Sequence, residues 1–539
     1  MQLCDKDLNQ SKEWLEKGYQ LPRYSRPEMC AYTRENPIWL HFGAGNLFRG
    51  FIVSLQDELL NKGVAQSGIV ACESYDIEMV EKVLKPCDNL CLQVVLNADG
   101  TIEKRVLGSI ADSISANSSD SEEWGKLKSY FCSPSLQIVS FTITEKGYSL
   151  KDGFGNYFKA VKEDFVNGPL LPKSLMGMVA SLCYERFKSG GAPLALLSLD
   201  NCSHNGSRLF EAVNTYARKW LENGFVRDNF VKYIQNPELV SFPWSMIDRI
   251  TPAPNEKVAL VLQQDGFEST EIIYTSKNTA AAPFVNTEQA FYLVIEDSFP
   301  NGRPPLELAG VLLTGRDTVD KAETMKVCTC LNPLHTALAI FGCLLGFKSI
   351  SSEMQDETLR EFVWRLGIEE ELPVAVDPKI LNPRDFLYEA LNLRLPNPFI
   401  PDTPQRIASD TSQKMPIRFG KALQAYVNKG QESVLKLRWI PLVIAGWLRY
   451  LLGINDEGQP FELSPDPMLP VLLPAFSGIE LGRENNLDKI RELLRNKDLF
   501  AVDLYEIGLD VKIEEYFIKM LAGPGSVKGL LCELLNQNG

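Results

Sequence analysis

The sequence predicts an α/β domain built on a parallel sheet, followed by a mainly α-helical domain. Three observations carry this. The chain has 539 residues, more than one ordinary hydrophobic core holds, so two domains are expected. Short apolar runs alternate with helical patterns through the first two hundred residues, the signature of a parallel sheet covered on both faces. After about residue 300 strand patterning becomes sparse and helical periodicity takes over.

The elements follow in order. Pro37–Phe42 (PIWLHF) is a short run of β-formers that stops at Gly43-Ala44-Gly45, and Leu47–Lys62 then places apolar residues at helical spacing. Ser67–Cys72, Leu136–Thr142 and Pro193–Ser198 read as further buried strands. Segments 334–346, 354–366, 418–430, 435–453, 485–497 and 512–522 read as helices. The Pro/Gly-rich piece Ser298–Pro305 (SFPNGRPP) marks the boundary, giving domains 1–300 and 301–539.

Composition excludes several classes. Net charge is -14 with no basic run, which disfavours binding to a phosphate backbone. No long run of uncharged apolar residues predicts a membrane span, and the first residues (MQLCDKDLNQSKEWLEKG) mix charges without an apolar core, so a cytoplasmic protein is expected. The 12 cysteines are scattered and read as buried, reduced thiols. Cys87/Cys91 and Cys328/Cys330 lack a second pair at zinc-finger spacing, and there are only 3 histidines, so no metal site is expected.

A strand, then Gly43-Ala44-Gly45, then a helix is the arrangement that offers backbone N–H groups to a pyrophosphate, as in a Rossmann-type domain. The third glycine of the usual fingerprint is missing: Phe48 stands there, followed by Arg49. Gly43, Gly45, Phe48 and Arg49 are the candidate cofactor contacts. Glu73, just past the second strand, suits the ribose hydroxyls of NAD and would repel the extra phosphate of NADP. The same glycines also suit a tight turn with no ligand, and a strand-end glutamate is often merely solvated.

Four further segments stand in order behind this turn: SFTITEKGY (Ser140–Tyr148), SLDNCSHNG (Ser198–Gly206), FPWSMIDRITPAP (Phe242–Pro254) and MKVCTCLNPLHTA (Met325–Ala337). Together with LHFGAGNLFRG they resemble the long-chain mannitol dehydrogenase family from about residue 37 to at least 420. The resemblance implies an N-terminal Rossmann-type domain, a helical C-terminal domain, NAD as cofactor and no catalytic metal. It also implies Lys326 as the catalytic lysine, Asn201 and Asn332 as the pair that holds the reacting oxygen, and His335 as a sugar contact.

The chemistry is coherent. Hydride arriving at a ketone leaves negative charge on its oxygen, which two asparagine N–H groups stabilise. A buried lysine whose pKa is lowered delivers the proton near neutral pH. Glu145 and Glu323 are candidate proton relays, and Asp248 is expected to orient polar groups rather than react. Each residue also has a plainer reading. Asn332 before Pro333 is a common helix start, His335 fits an ordinary helix surface, and an isolated lysine is usually solvated. Asp248-Arg249 reads equally as an internal ion pair and Glu145-Lys146 as a loop pair. One departure stands out. The family pattern puts the lysine five residues before the asparagine, whereas Lys326 and Asn332 are six apart. Val327–Leu331 offers no replacement base, so an inserted residue accommodated as a bulge is expected there.

For a substrate carboxylate the sequence offers Arg394 and Arg406, with Lys414 and Arg418 nearby; guanidinium groups suit such an anion. These cations serve equally to offset Asp402 and Asp410. The texture of CLNPLHTALAIFGCLLG is similar to the fructuronate reductase branch, which implies a hexuronate-derived pair, D-fructuronate and D-mannonate. Mannitol 2-dehydrogenase-like or tagaturonate reductase-like activity is the alternative within the family. A non-catalytic sensor of NAD or a sugar acid is the alternative of another class. The expected partner is a small sugar acid or polyol, with the chain a monomer or small homo-oligomer.

Overall fold

The computed structural model describes residues 1–537. The chain divides into two compact units, Met1–Asn97 with Thr101–Asp320, and Ala98–Gly100 with Lys321–Gly539.

The first unit is organised around six parallel strands: β1 (Trp39–Phe42), β2 (Ile69–Glu73), β3 (Ile110–Ser115), β4 (Ile138–Phe141), β5 (Leu194–Ser198) and β6 (Val240–Ser241). Their order is β3-β2-β1-β4-β5-β6, the doubly wound arrangement of a dinucleotide-binding sheet. All residues of β1, β2, β4 and β5 are buried because helices cover both faces. Alternation along the strands divides the core in two. Leu40, Phe42, Val70 and Val139 pack with Phe131, Val213 and Trp220 on one face. Trp39, Ile69, Ala71 and Ile138 pack with Phe48, Phe51 and Leu55 on the other.

The helix expected over Leu47–Lys62 forms, but it opens with a π-helical turn, Phe48–Ile52, before the α-helix Val53–Asn61. Two smaller sheets escape the apolar periodicity. One joins Tyr19–Gln20, Ile102–Leu107, Cys91–Leu96 and Phe284–Glu288; the other joins Ser245–Asp248, Tyr292–Glu296 and Leu312–Thr314. Ile102–Leu107 (IEKRVL) carries three consecutive charges, and buried Cys91–Leu96 contains Gln93, whose Nε2 donates to the Gly50 carbonyl at 2.6 Å.

The boundary expected at 300/301 moves to 320/321. Ser298–Pro305 is a turn inside the first unit, with Arg303 bound to Asp297 and Glu307. Beyond it the chain adds one more strand, Leu312–Thr314, alongside Tyr292–Glu296.

The second unit is helical. Its core includes Asn332–Leu344, Glu357–Arg365, Lys421–Lys429, Trp439–Tyr450 and Asp510–Met520, close to the segments expected from periodicity. Every residue of Trp439–Tyr450 is buried. Four π-helical turns interrupt the helices: Lys326–Cys330, Leu366–Glu371, Ala390–Arg394 and Pro416–Gly420. The continuous helical stretch Arg316–Leu344 is long and apolar enough to cross a membrane, but 78% of its most apolar window is buried inside the protein, as in a core helix.

Candidate active site

In the first unit the glycine turn follows β1. Gly43 has φ 108, and a Cβ there would stand 2.2 Å from the Thr142 carbonyl oxygen, so only glycine fits. At Gly45 an added Cβ would meet nothing within 4 Å, which leaves that side of the turn open to a close-lying ligand. The first helical bond runs from Arg49 N–H to Gly45 O at 3.1 Å. The N–H groups before it are the donors a helix start presents to an anion.

Glu73 ties the second strand to this turn. One carboxylate oxygen accepts from Ala44 N–H at 2.7 Å, and the other accepts from the N–H groups of Ser74, Tyr75 and Asp76. Phe48 and Arg49, expected as cofactor contacts, are both fully buried. Phe48 stacks on His41 at 4.2 Å, and Arg49 donates to the Ala282 carbonyl and Asn46 Oδ1. His41 lies between Ser140 Oγ and Thr142 Oγ1, and burial pushes its pKa down to about 3, so it stays neutral.

Asn201 is exposed, just beyond β5. Its neighbour Asp200 anchors the segment by accepting from the N–H groups of Ile143 and Thr144 and from the Tyr148 hydroxyl. Asn205 Nδ2 donates to the Asp200 and Ser245 carbonyls at 3.0 Å. Glu145 is exposed and pairs with Arg208 at 2.8 Å. Asp248 is buried at the end of Ser245–Asp248. Arg249 donates to the Glu288 carbonyl and lies near the Phe51 and Phe291 rings; burial lowers its pKa to about 10.

In the second unit Lys326 is 2% exposed and heads the π-turn Lys326–Cys330, which Leu331 N–H closes onto the Lys326 carbonyl at 3.2 Å. A helical bulge thus lies in the segment where the spacing called for one. Glu323 lies one turn earlier, on Arg316–Met325.

Helix Asn332–Leu344 starts after the bulge. Leu331 is its N-cap and no side chain caps it, so the capping reading of Asn332 is set aside. The Asn332 carbonyl instead accepts from Arg418 Nη1 at 3.2 Å, and the same nitrogen reaches Thr336 Oγ1. His335 Nε2 lies 3.3 Å from Asp402 Oδ2, while Arg406 Nη2 binds Asp402 Oδ1. Arg406 thus takes up the alternative role of offsetting Asp402, though its side chain remains 62% exposed. Arg394 is buried in the π-turn Ala390–Arg394.

Burial lowers Lys414 to about 8 and Arg418 to about 10. Glu370 accepts from the N–H groups of Arg438, Trp439 and Ile440, and burial raises it to about 7. Both carboxyl oxygens of Glu353 and of Glu371 are buried without a hydrogen-bond partner, and burial holds both groups well above the usual carboxylate range. Among the described residues no group of three or more His, Cys, Asp and Glu side chains is arranged to hold a metal ion.

The mannitol dehydrogenase Rossmann domain matches residues 37–308, and the mannitol dehydrogenase C-terminal domain matches 318–515. The chain belongs to the mannitol dehydrogenase family. It is 50% identical to a D-mannonate oxidoreductase of Thermotoga maritima over 100% of this chain and 99% of that protein. It is 29% identical to a mannitol 2-dehydrogenase of Neosartorya fischeri over 89% of this chain and 88% of that protein. Two solved structures share the fold. A substrate-free D-sorbitol dehydrogenase has a TM-score of 0.75 at 25% identity, covering 94% of this chain and 98% of the other. Mannitol 2-dehydrogenase of Pseudomonas fluorescens, in ternary complex with NAD and D-mannitol, has a TM-score of 0.70 at 25% identity, covering all of both chains.

Sequence reasoning missed several supports in this mannitol dehydrogenase family member. Asp200, adjacent to Asn201, and Tyr148, the last residue of SFTITEKGY, were within reach of it. His204 was not. It adopts φ 52, stacks on Trp244 at 4.3 Å and meets Asp320 at 3.0 Å, a pairing across distant segments that no local pattern announces.

Proposed function

We propose that the chain transfers hydride between NAD(H) and the D-fructuronate/D-mannonate pair, with Lys326 as general acid and base. The supporting observation is the buried Lys326 at the head of a π-turn that absorbs the extra residue and leaves Asn332 and His335 on the first turn of the next helix. The full-length likeness to a D-mannonate oxidoreductase favours a hexuronate over a neutral hexitol.

The nicotinamide cofactor supplies the hydride when bound. The chain's own residues do the rest. Gly43 and Gly45 let the backbone approach the pyrophosphate, and Glu73 at the end of β2 disfavours a phosphorylated ribose. Asn201 and Asn332 donate N–H bonds to the reacting oxygen; removing one such donor typically costs about 3–4 kcal/mol. Lys326 gives its proton to that oxygen during reduction and takes it back during oxidation. Glu323 and Glu145 pass protons between Lys326 and water, His335 contacts the sugar, and Asp248 orients polar groups. Arg394 and the exposed Arg406 supply cations for the carboxylate.

The test is NADH oxidation with D-fructuronate, D-tagaturonate and D-fructose side by side, with Lys326→Ala as control. Turnover of D-fructuronate that collapses in the variant is the expected result. Preference for D-tagaturonate or D-fructose overturns the substrate assignment. Turnover untouched by the substitution overturns the lysine assignment, and NADH binding without any turnover indicates a sensor.

A further inference from the structure

Asp402 stands in the proline-rich segment PNPFIPDTP. Its side chain is 8% exposed, and its two oxygens are divided between two partners. Oδ2 lies 3.3 Å from His335 Nε2, and Oδ1 takes Arg406 Nη2. Its backbone is fixed as well: the Asp402 carbonyl accepts from Ile350 N–H at 2.9 Å. Thr403 Oγ1 caps the one-turn helix Pro404–Ile407 by accepting from Arg406 N–H at 3.2 Å. This short helix packs on Asn332–Leu344, which carries His335.

We propose that Asp402 is a positioning residue that sets the ring orientation and tautomer of His335, its other oxygen being anchored by Arg406. A carboxylate on Nε2 fixes which ring nitrogen carries hydrogen there, so Nδ1 is the nitrogen presented to a ligand. Burial alone would raise the Asp402 pKa, but the His335 and Arg406 contacts hold the carboxyl below the usual range, so it stays ionised at neutral pH. The proposal rests on His335 contacting the sugar, as put forward above.

The test is a double-mutant cycle on the full-length protein, reading kcat/KM for D-fructuronate and, separately, NADH affinity. Asp402→Ala is expected to lower kcat/KM about 10- to 100-fold, the usual cost of losing an outer partner of this kind, with NADH affinity unchanged. Asp402→Asn keeps an oxygen for His335 Nε2 and is expected to retain most of the activity. In a His335→Ala background the Asp402→Ala effect should shrink to a few-fold, because the residue acts through His335. An equal loss in both backgrounds overturns the proposal, since it indicates a structural role only, and so does an Asp402→Ala protein as active as the parent. If Asp402→Ala fails to fold, Asp402→Leu, which fills the space but offers no oxygen to His335, takes its place in the cycle. A harmless His335→Ala overturns the sugar-contact reading itself, whereas a harmful His335→Ala with a harmless Asp402→Ala overturns only the positioning role.

Discussion

The glycine turn of the first unit and the Lys326 segment of the second each adjoin a π-helical turn, but they are held in different ways. Around Gly43–Gly45, Glu73 accepts four N–H groups and Arg49 is held by a carbonyl and an asparagine side chain, although Arg49 Nε and Asp76 Oδ1 are buried without a partner. Glu73 thereby ties the turn to the end of β2. Around Lys326 the helix is bulged, and Glu353 and Glu371 in the same unit are buried carboxyls with no hydrogen-bond partner. Irregular backbone and unsatisfied polar groups cost stability and cluster where proteins do chemistry. The contrast is between a turn gathered by one carboxylate and a unit that buries two carboxyls with no partner at all.

Four substitutions break or sharpen this comparison. Lys326→Ala is expected to lower turnover about 10²- to 10⁴-fold, the usual worth of a positioned acid–base group. NADH affinity, read by fluorescence titration, should not move; if it falls in parallel, the two regions are not functionally separate.

Gly43→Ala should act in the reverse sense. Its Cβ would collide with the Thr142 carbonyl at a φ that disfavours side chains, so stability falls by about 1–3 kcal/mol or more and NADH binding weakens. A urea midpoint equal to that of the parent would show the turn to be more pliant than its geometry implies. Glu73→Gln keeps the shape but removes the charge that gathers four N–H groups. A loss of about 1–2 kcal/mol is expected in thermal unfolding, together with better tolerance of NADPH.

The smallest effect concerns Glu371. An unfolded glutamate titrates near pH ~4.3, and burial raises the folded value well above that. The folded state therefore binds the proton more tightly. Its contribution is fully present below the unfolded value and is lost as pH rises through the folded one. Glu371→Gln should melt a few degrees above the parent at pH ~8 and close to it at pH ~4. A gap that widens toward acid would show that Glu371 is ionised in the fold.

What was legible in the sequence follows the same contrast. The four apolar runs and most long helices announce themselves because one period, two or 3.6, describes each, and the glycine turn because it falls between them. The cofactor turn could be read from Gly43 and Gly45, but the burial of Phe48 and Arg49 could not, since whether an arginine faces a ligand or the core depends on distant Ala282. The smaller sheets were hidden by polar and charged residues within their strands, as in Ile102–Leu107. The compact units divide at 320/321 and not at Ser298–Pro305, because a proline-rich turn looks the same inside a unit as between two. Asp402 could be listed among the acids near a cation cluster, yet its pairing with His335 spans 67 residues of sequence and is settled by packing alone.

The bulge at Lys326 has one last consequence, for how a change of length is tolerated. A π-turn takes up one residue more than an α-helical turn, so losing one residue from Lys326–Cys330 can be absorbed by reverting to α-helical geometry. The same loss in a regular helix would rotate everything beyond it by about 100°.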